Sequence, residues 1–143
     1  MMKELTKSDL MFAFEQDIKM ALYTLQRYHI EASFALIACD EYDIDKANLI
    51  ESVRQSDIAK RVNDHYVAVL FTFVDYIGAR CALEKLLNQY KQYNLKGSLV
   101  ALKKAETIES VCERMLEANR IIHEDVNKTI FDDSELYIDK DEY

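Results

Sequence analysis

Two groups of polar residues in this sequence have the types and spacing needed for chemistry. The first is an acidic turn that begins at Asp40, directly after the apolar run 33–39. Carboxylate oxygens are the ligands that hard divalent cations prefer, so this turn is a candidate metal site. The second is the pair Arg54 and Asp57, three positions apart, whose guanidinium can bind a phosphate and whose carboxylate can accept hydrogen bonds. The simpler alternatives are a solvated turn and a surface ion pair.

Several other site types are excluded by spacing. A calcium-binding loop that started at Asp40 would place Tyr42 and Ile44 at ligand positions and Asp45 where a glycine is needed. With only two glycines, the chain cannot form a P-loop or a dinucleotide-binding loop. The three histidines lack metal-ligand spacing, which predicts surface or helix-cap positions for them. They are His29, His65 and His123. We therefore expect no metal ion or other cofactor.

Length and charge narrow the function classes further. A chain of 143 residues with 50% hydrophobic content suits one core better than two, so we expect a single domain over 1–128. The segment 129–143 is strongly acidic and is expected to be a flexible or weakly docked tail. The net charge of -8 argues against nucleic acid as a partner, because binding to its phosphate backbone needs a basic surface.

Cysteine usage and the N-terminal sequence predict a cytoplasmic protein. Cys39, Cys81 and Cys112 occur singly within apolar stretches and without CxxC spacing, as expected for buried, reduced thiols. The N-terminal residues lack the apolar segment of a signal peptide, and charged residues interrupt every later apolar run before it reaches bilayer length. We therefore expect neither secretion nor a membrane partner.

Hydrophobic periodicity predicts the elements that position these residues. Three segments with helical spacing of apolar residues predict helices: 9–29, 76–93 and 107–127. Four segments rich in strand-forming residues predict strands: 33–39, 57–62, 66–73 and 98–102. Thr107 is expected to cap the last helix, Ile77 to face inward, and 47–55 to form a short helical segment. This order predicts an α/β fold of the α+β type with the split βαβ arrangement of ferredoxin-like sheets.

The predicted hairpin resembles the signature of the GGDEF (diguanylate cyclase) family. In residues 61–70 an arginine, the signature positions and an apolar strand follow one another without a gap. Leu5 and Thr6, with Phe14 beyond them, resemble the family's opening D-x-L-T-G-L-x-N-R-x-x-F at matching spacing. The resemblance extends over residues 3–122. It implies a nucleotidyl-cyclase-like antiparallel sheet packed by helices, with an N-terminal helix, in a bacterial cyclic di-GMP signalling protein.

The resemblance also implies what an active enzyme would need. Diguanylate cyclases join two GTP molecules by using metal ions held by two carboxylates, which correspond to Asp40 and to the signature glutamate. Tyr66 stands at the glutamate position, and its phenol is neutral at pH 7. Asn63 and Asp64 replace the glycines that let a backbone approach phosphate, and His65 follows them. The stretch from 40 to 63 is also shorter than in active relatives. We therefore expect no cyclase activity and regard these five positions as vestigial.

Three functions can be ranked. The leading one is a catalytically inactive signalling domain that contacts a protein partner or forms a homodimer. Four tyrosines on or near helix faces suit such a contact: Tyr23, Tyr28, Tyr90 and Tyr93. The alternative is a cyclic di-GMP receptor, because Arg54 and Asp57 precede the signature at the offset of the family's inhibitory site. An active diguanylate cyclase ranks third.

Overall fold

A five-stranded sheet organises the chain. The computed structural model describes residues 5–39, 44, 49–53, 57–125 and 127–132. This part of the chain contains three α-helices and five strands: α1 (Lys7–Tyr28), β1 (Ala32–Ala38), β2 (Ile58–Asn63), β3 (Tyr66–Thr72), α2 (Tyr76–Gln89), β4 (Lys96–Ala101), α3 (Ile108–Glu124) and β5 (Ile130–Asp132). It also contains two short 3-10 helices, Leu49–Ser52 and Lys91–Tyr93.

The central strand of the sheet is β1. It pairs antiparallel with both β3 and β4, which places the strands in the order β2-β3-β1-β4-β5. Every residue of β1 is buried, as its unbroken apolar run predicts. Ala38 pairs with Tyr66 at one end of β1, and Ala32 pairs with Thr72 at the other. The first four strands thus form the predicted ferredoxin-like arrangement.

Helices cover both faces of the sheet. Because side chains alternate along a strand, Phe34 and Leu36 of β1 enter the core formed with α1 and α3, whereas Ala35 and Ile37 enter the core formed with α2. The rings of Phe14 and Phe34 meet edge to face with their centroids 5.0 Å apart. The central strands are therefore buried on both sides, and any surface site must lie at the ends or edges of the sheet or on the outer faces of the helices.

Side-chain caps fix the ends of the helices. Thr6 and Asp9 form a reciprocal capping box at the start of α1, with N···O distances of 3.0 and 3.1 Å. Thr107 caps α3, as predicted. His29 ends α1 in the left-handed conformation, with a φ of 59°, which agrees with the predicted surface or helix-cap position.

Two predictions about α2 are wrong. Ile77 is 74% exposed, because the inward-facing side chains of this helix begin at Ala79 and recur at helical spacing. Cys81 lies away from that stripe and is exposed, whereas Cys39 and Cys112 are buried as predicted. Burial raises the pKa of the Cys112 thiol to about 11, so this thiol remains protonated and unreactive at neutral pH.

The first residues of the predicted acidic tail belong to the sheet, which corrects that expectation for 130–132. Strand β5 pairs in parallel with β4. Phe131 is buried against the core, and the buried carboxylate of Asp132 accepts hydrogen bonds from the Tyr76 hydroxyl and, at 2.9 Å, from Arg80. Asp132, which was expected to be exposed because it is acidic, thus joins β5 to α2 through these hydrogen bonds. Residues 133–143 lie outside the described residues.

The short helical element that was expected within 47–55 is a 3-10 helix formed by Leu49–Ser52. None of the described helices combines the length and the apolar content that crossing a bilayer requires.

Candidate functional site

The turn between β2 and β3 lies against the end of β1. The backbone N–H of Cys39 donates to the carbonyl of His65 at 2.8 Å, which extends the antiparallel pairing of β1 and β3 into the turn. The backbone N–H of Ile44 donates to the carbonyl of Asp64, also at 2.8 Å. Four of the five vestigial positions, 63–66, are therefore together at this end of the sheet. The fifth, Asp40, lies outside the described residues.

Polar side chains of this turn bind other groups of the turn. Asn63 accepts a hydrogen bond from the backbone N–H of His65 at 2.9 Å. Arg61 forms an ion pair with Asp64 and donates to the carbonyl of Asn63 at 3.2 Å. The Nδ1 of His65 lies 2.9 Å from the carbonyl oxygen of Cys39, and because a carbonyl only accepts, the ring N–H donates. The charge of Arg61 is thus balanced within the turn.

Tyr66 turns away from this edge and into the core. Only 1% of its surface is exposed, and its ring lies on the sheet face that α1 and α3 cover. Its hydroxyl is within 3.3 Å of the Asn119 side-chain nitrogen, which donates to it, and its ring centroid is 6.4 Å from that of His123. Strand alternation explains this direction, because Tyr66 shares a face with Ala68 and Leu70. The residue at the predicted metal-ligand position is therefore a packing residue.

The described part of the chain offers little for metal chemistry. No three His, Cys, Asp or Glu side chains in it are placed to hold one ion together. A buried phenol with a pKa near 10 in its ordinary state is a poor replacement for a carboxylate ligand. What this end of the sheet provides is a turn held by its own hydrogen bonds.

Asp57 lies at the other end of β2. It precedes Ile58 directly, is 9% exposed, and accepts a hydrogen bond from the backbone N–H of Thr72 at 3.2 Å. Its proposed partner Arg54 lies outside the described residues, so the pair stays a prediction. Asn63 lies six positions after Asp57, which corresponds to roughly 20 Å along a strand. The two groups of candidate residues therefore occupy opposite ends of the β2–β3 hairpin.

Asp57 also lines a cavity that the sequence did not indicate. The cavity has a volume of about 370 Å³ and lies between the start of β2 and the surface of α2. Lys85 and Cys81 of α2 line it together with Asp57. A lysine 28 positions later in the chain has no local pattern that would associate it with Asp57, so only the packing of α2 against the sheet brings the two to one cavity.

The tyrosines suggested for a protein contact differ in exposure. Tyr23 and Tyr28 are 54% and 58% exposed, and their rings meet edge to face with centroids 6.4 Å apart. The guanidinium of Arg27 lies 5.8 Å from the centroid of the Tyr28 ring. Tyr90 and Tyr93 are half-buried against the core on the α2 side. Of these four tyrosines, only Tyr23 and Tyr28 on α1 therefore form an exposed pair.

Solved GGDEF domains share this architecture. The FimX GGDEF domain from Pseudomonas aeruginosa matches 84% of this chain and 91% of its own, with a TM-score of 0.70 and 16% identity. The GGDEF domain of DgcB from Caulobacter crescentus, solved in complex with c-di-GMP, matches 84% of this chain and 87% of its own, with a TM-score of 0.63 and 14% identity. A microbial GGDEF domain described with bis-(3,5)-cyclic di-GMP matches 78% of this chain and 83% of its own, with a TM-score of 0.62 and 12% identity.

Comparison with protein-family models and with curated protein sequences finds no match. At identities of 12–16% the agreement is one of backbone architecture, so it supports the fold and leaves the function to the residues of this chain. The fold that the hairpin resemblance implied is confirmed. This chain has the fold of GGDEF domains, in a shortened version.

Proposed function

We propose that this chain is a catalytically inactive GGDEF-like regulatory domain that acts through contact with a protein partner or with a second copy of itself. The observation that carries this proposal is the position of Tyr66. Its side chain is buried and its hydroxyl is bonded to Asn119, where the resemblance requires a metal-binding glutamate. The hairpin turn beside it is closed by bonds among Arg61, Asn63, Asp64 and His65.

The contact surface that best suits this proposal is the exposed aromatic pair on α1. Tyrosine combines a large apolar ring with a hydroxyl that remains hydrogen-bonded, which is why exposed tyrosines are enriched at interfaces. Tyr23 and Tyr28 are adjacent, and Arg27 adds a cation beside them. Arginine, like tyrosine, is frequent among residues that contribute strongly to binding.

The absence of catalysis is tested with GTP and magnesium or manganese. We expect the purified protein to release no pyrophosphate or cyclic di-GMP above the level of an Asp40→Ala variant. The variant is the matched control because Asp40 is the one remaining carboxylate at a position that the resemblance assigns to metal binding. Metal-dependent turnover by the wild type that Asp40→Ala abolishes would overturn the proposal.

The contact is tested with the double variant Tyr23→Ser/Tyr28→Ser. Sedimentation equilibrium measures self-association, and capture from the native cytoplasm measures a partner. We expect the double variant to lose whichever complex the wild type forms. The control is Ile77→Ser, which removes a side chain of similar exposure from α2. A wild type that is monomeric and captures nothing, or equal losses by both variants, would contradict an α1 contact.

A second function, cyclic di-GMP binding, is favoured by the shared cavity of Asp57 and Lys85. A carboxylate can accept from the guanine N1 and N2 hydrogens, and a lysine can pair with a phosphate. If Arg54 also reaches this cavity, its guanidinium supplies a second positive charge, so binding would need no metal ion.

Calorimetry without metal tests this second function. We expect Arg54→Ala to weaken cyclic di-GMP binding by about ten- to a hundredfold, since a charge-assisted pair contributes about 1.5–3 kcal/mol. Lys85→Ala should weaken it by a smaller factor. Lys91→Ala, which removes an exposed lysine just beyond α2, is the control and should bind as the wild type does. No heat at a ligand concentration well above micromolar, or equal binding by all variants, would eliminate the receptor function.

A further inference from the structure

A second cavity lies at the end of the sheet opposite the hairpin turn. It has a volume of about 380 Å³ and is enclosed by α1 on one side and by the start of β1 and the end of β3 on the other. Apolar side chains form its inner wall: Ala21, Ala32, Ile58 and Leu70. Its size falls within the usual range of small-molecule sites, which is about 300–1,000 Å³. We call it the α1 cavity.

Two large apolar side chains stand at the mouth of the α1 cavity. Met20 is 65% exposed and Phe73 is 70% exposed. Phe73 also has a left-handed backbone, with a φ of 58°. This conformation is unfavourable for a bulky residue, and an exposed ring gains too little from packing within the chain to explain it. Strained residues of this kind concentrate at binding sites, where the backbone holds a side chain towards a ligand.

The charge at this mouth is negative. Asp17 and Glu31 both line the cavity. The carboxylate of Asp17 is bound by Lys60 at 2.6 Å, whereas no residue in the described part of the chain pairs with the carboxylate of Glu31. A ligand that enters between Met20 and Phe73 therefore meets an apolar wall inside and, outside, a carboxylate that none of the described residues neutralises.

We propose that the α1 cavity binds a small amphiphilic cation, with an aromatic or branched apolar body inside the cavity and a protonated amine beside Glu31. The apolar body would replace water against the inner wall and contact the ring of Phe73. The amine would pair with the Glu31 carboxylate and keep one face in solvent, where a charge is least costly to hold. This ligand class goes beyond the regulatory function proposed above. The cavity lies about one strand length from the hairpin turn and shares α1 with the exposed pair Tyr23 and Tyr28.

Tryptamine is a suitable probe because it has an indole body and a protonated amine. The protein contains no tryptophan, so indole fluorescence reports the ligand alone. Titration of tryptamine with the full chain, followed by fluorescence anisotropy, should give a dissociation constant on the order of 0.1–1 mM, as expected for a ligand of this size. Added salt should weaken binding, because part of the attraction is between exposed charges.

Two further indoles separate the contributions of shape and charge. 3-Ethylindole keeps the body and removes the amine, and indole-3-propionate replaces the amine with a carboxylate. We expect tryptamine to bind most tightly, 3-ethylindole about two- to fivefold less tightly, and indole-3-propionate least tightly, since an exposed ion pair contributes up to about fivefold in affinity. Equal affinities for all three would overturn the assignment of a cation.

Two variants test whether Glu31 and Phe73 contribute to tryptamine binding. Glu31→Gln removes an exposed charge without disturbing the fold and should bring tryptamine to the affinity of 3-ethylindole. Phe73→Asn removes the ring but suits the left-handed backbone, so it should weaken binding at least fivefold while the melting temperature stays the same or rises. Ile77→Asn removes an equally exposed apolar side chain from α2 and should leave binding unchanged.

Three outcomes would overturn the proposal. The first is the absence of an anisotropy change with tryptamine at several millimolar protein. The second is wild-type binding by both Glu31→Gln and Phe73→Asn. The third is a concentration-dependent dimer that Phe73→Asn dissociates, which would assign the α1 cavity to a second copy of the chain.

Discussion

The two ends of the sheet are built in opposite ways. At the hairpin end, where the family resemblance located a catalytic site, Tyr66 fills the core and His65 binds the end of β1. At the end that carries the α1 cavity, Phe73 is exposed in a strained conformation and Glu31 has no described partner. The described groups of the hairpin end bind one another, whereas the opposite end has open, apolar space. Because a fold does not by itself specify a function, the two ends have to be compared through their own residues.

The largest loss of stability is expected from Tyr66→Glu, which introduces the carboxylate that the family has at this position. Tyr66→Glu would place a carboxylate in the core beside Asn119 and His123, and an unpaired buried charge should destabilise the protein by about 4 kcal/mol. Tyr66→Phe is the control, because it keeps the ring and removes the hydroxyl that accepts from Asn119, and it should cost about 1 kcal/mol. Urea unfolding gives both values. A Tyr66→Glu protein that is stable and turns over GTP would show that the hairpin end is an open site, and the contrast between the two ends would fail.

The next largest loss of stability is expected at the end that carries the α1 cavity, where a partly buried ion pair stabilises the fold. Arg114 donates two hydrogen bonds to Glu106, each at 2.7 Å, and Ser110 donates one at 2.8 Å. Burial by itself raises the pKa of the Glu106 carboxyl, but the bonds from Arg114 and Ser110 outweigh it and the pKa is lowered. Glu106→Gln should therefore cost about 2 kcal/mol at pH 7.

This cost should depend on pH in a defined direction. A carboxyl whose pKa is lower in the folded than in the unfolded protein stabilises the fold above its ordinary pKa of 4.5 and loses that contribution as pH falls through the folded value. The difference between wild type and Glu106→Gln should accordingly shrink below pH 4.5. Glu117→Gln breaks an exposed pair with Arg120 and should change stability by less than about 0.5 kcal/mol. A pH-independent difference would refute the role of the charge.

A smaller loss of stability is expected from a substitution at the hairpin turn. His65→Ala removes the ring that donates to the carbonyl of Cys39, and the loss of one hydrogen bond should cost about 1 kcal/mol. Amide hydrogen exchange at Cys39 and Ile44 should become faster, since both amides bond to this turn. Unchanged exchange at both amides would indicate that the backbone pairs alone close the hairpin end.

The smallest change in stability is expected from His29→Gly, which tests whether relief of backbone strain by itself alters the α1 cavity. His29 caps α1 with a φ of 59°, and glycine is favoured in that conformation. His29→Gly should stabilise the protein by about 0.5 kcal/mol and raise its melting temperature by about 1–2 °C without affecting tryptamine binding. This variant is a counterpart to Phe73→Asn, where a similar relief of strain should reduce binding. A His29→Gly protein that binds tryptamine more weakly would mean that strain relief itself disturbs the α1 cavity.

Local patterns in the sequence determined most of the fold. The run 33–39 became the buried central strand, and the hairpin, the last antiparallel strand and the three helices follow the predicted order. Thr107 caps α3 as its position next to an apolar stripe predicts. These features are predictable because alternation, helical spacing and capping depend on residues only a few positions apart. The substitutions at 63–66, which argue against catalysis, were also visible in the sequence.

Only the tertiary structure decided what depends on residues far apart in the chain. Asp132 is buried because Tyr76 and Arg80 reach it across more than 50 positions, so an acidic tail residue became part of β5. Lys85 joins Asp57 at one cavity only through the packing of α2. The α1 cavity likewise exists because α1 leaves a gap where β1 begins and β3 ends. Sequence periodicity specifies which face of an element is buried, but the gaps and long-range ion pairs arise only when separate elements pack together.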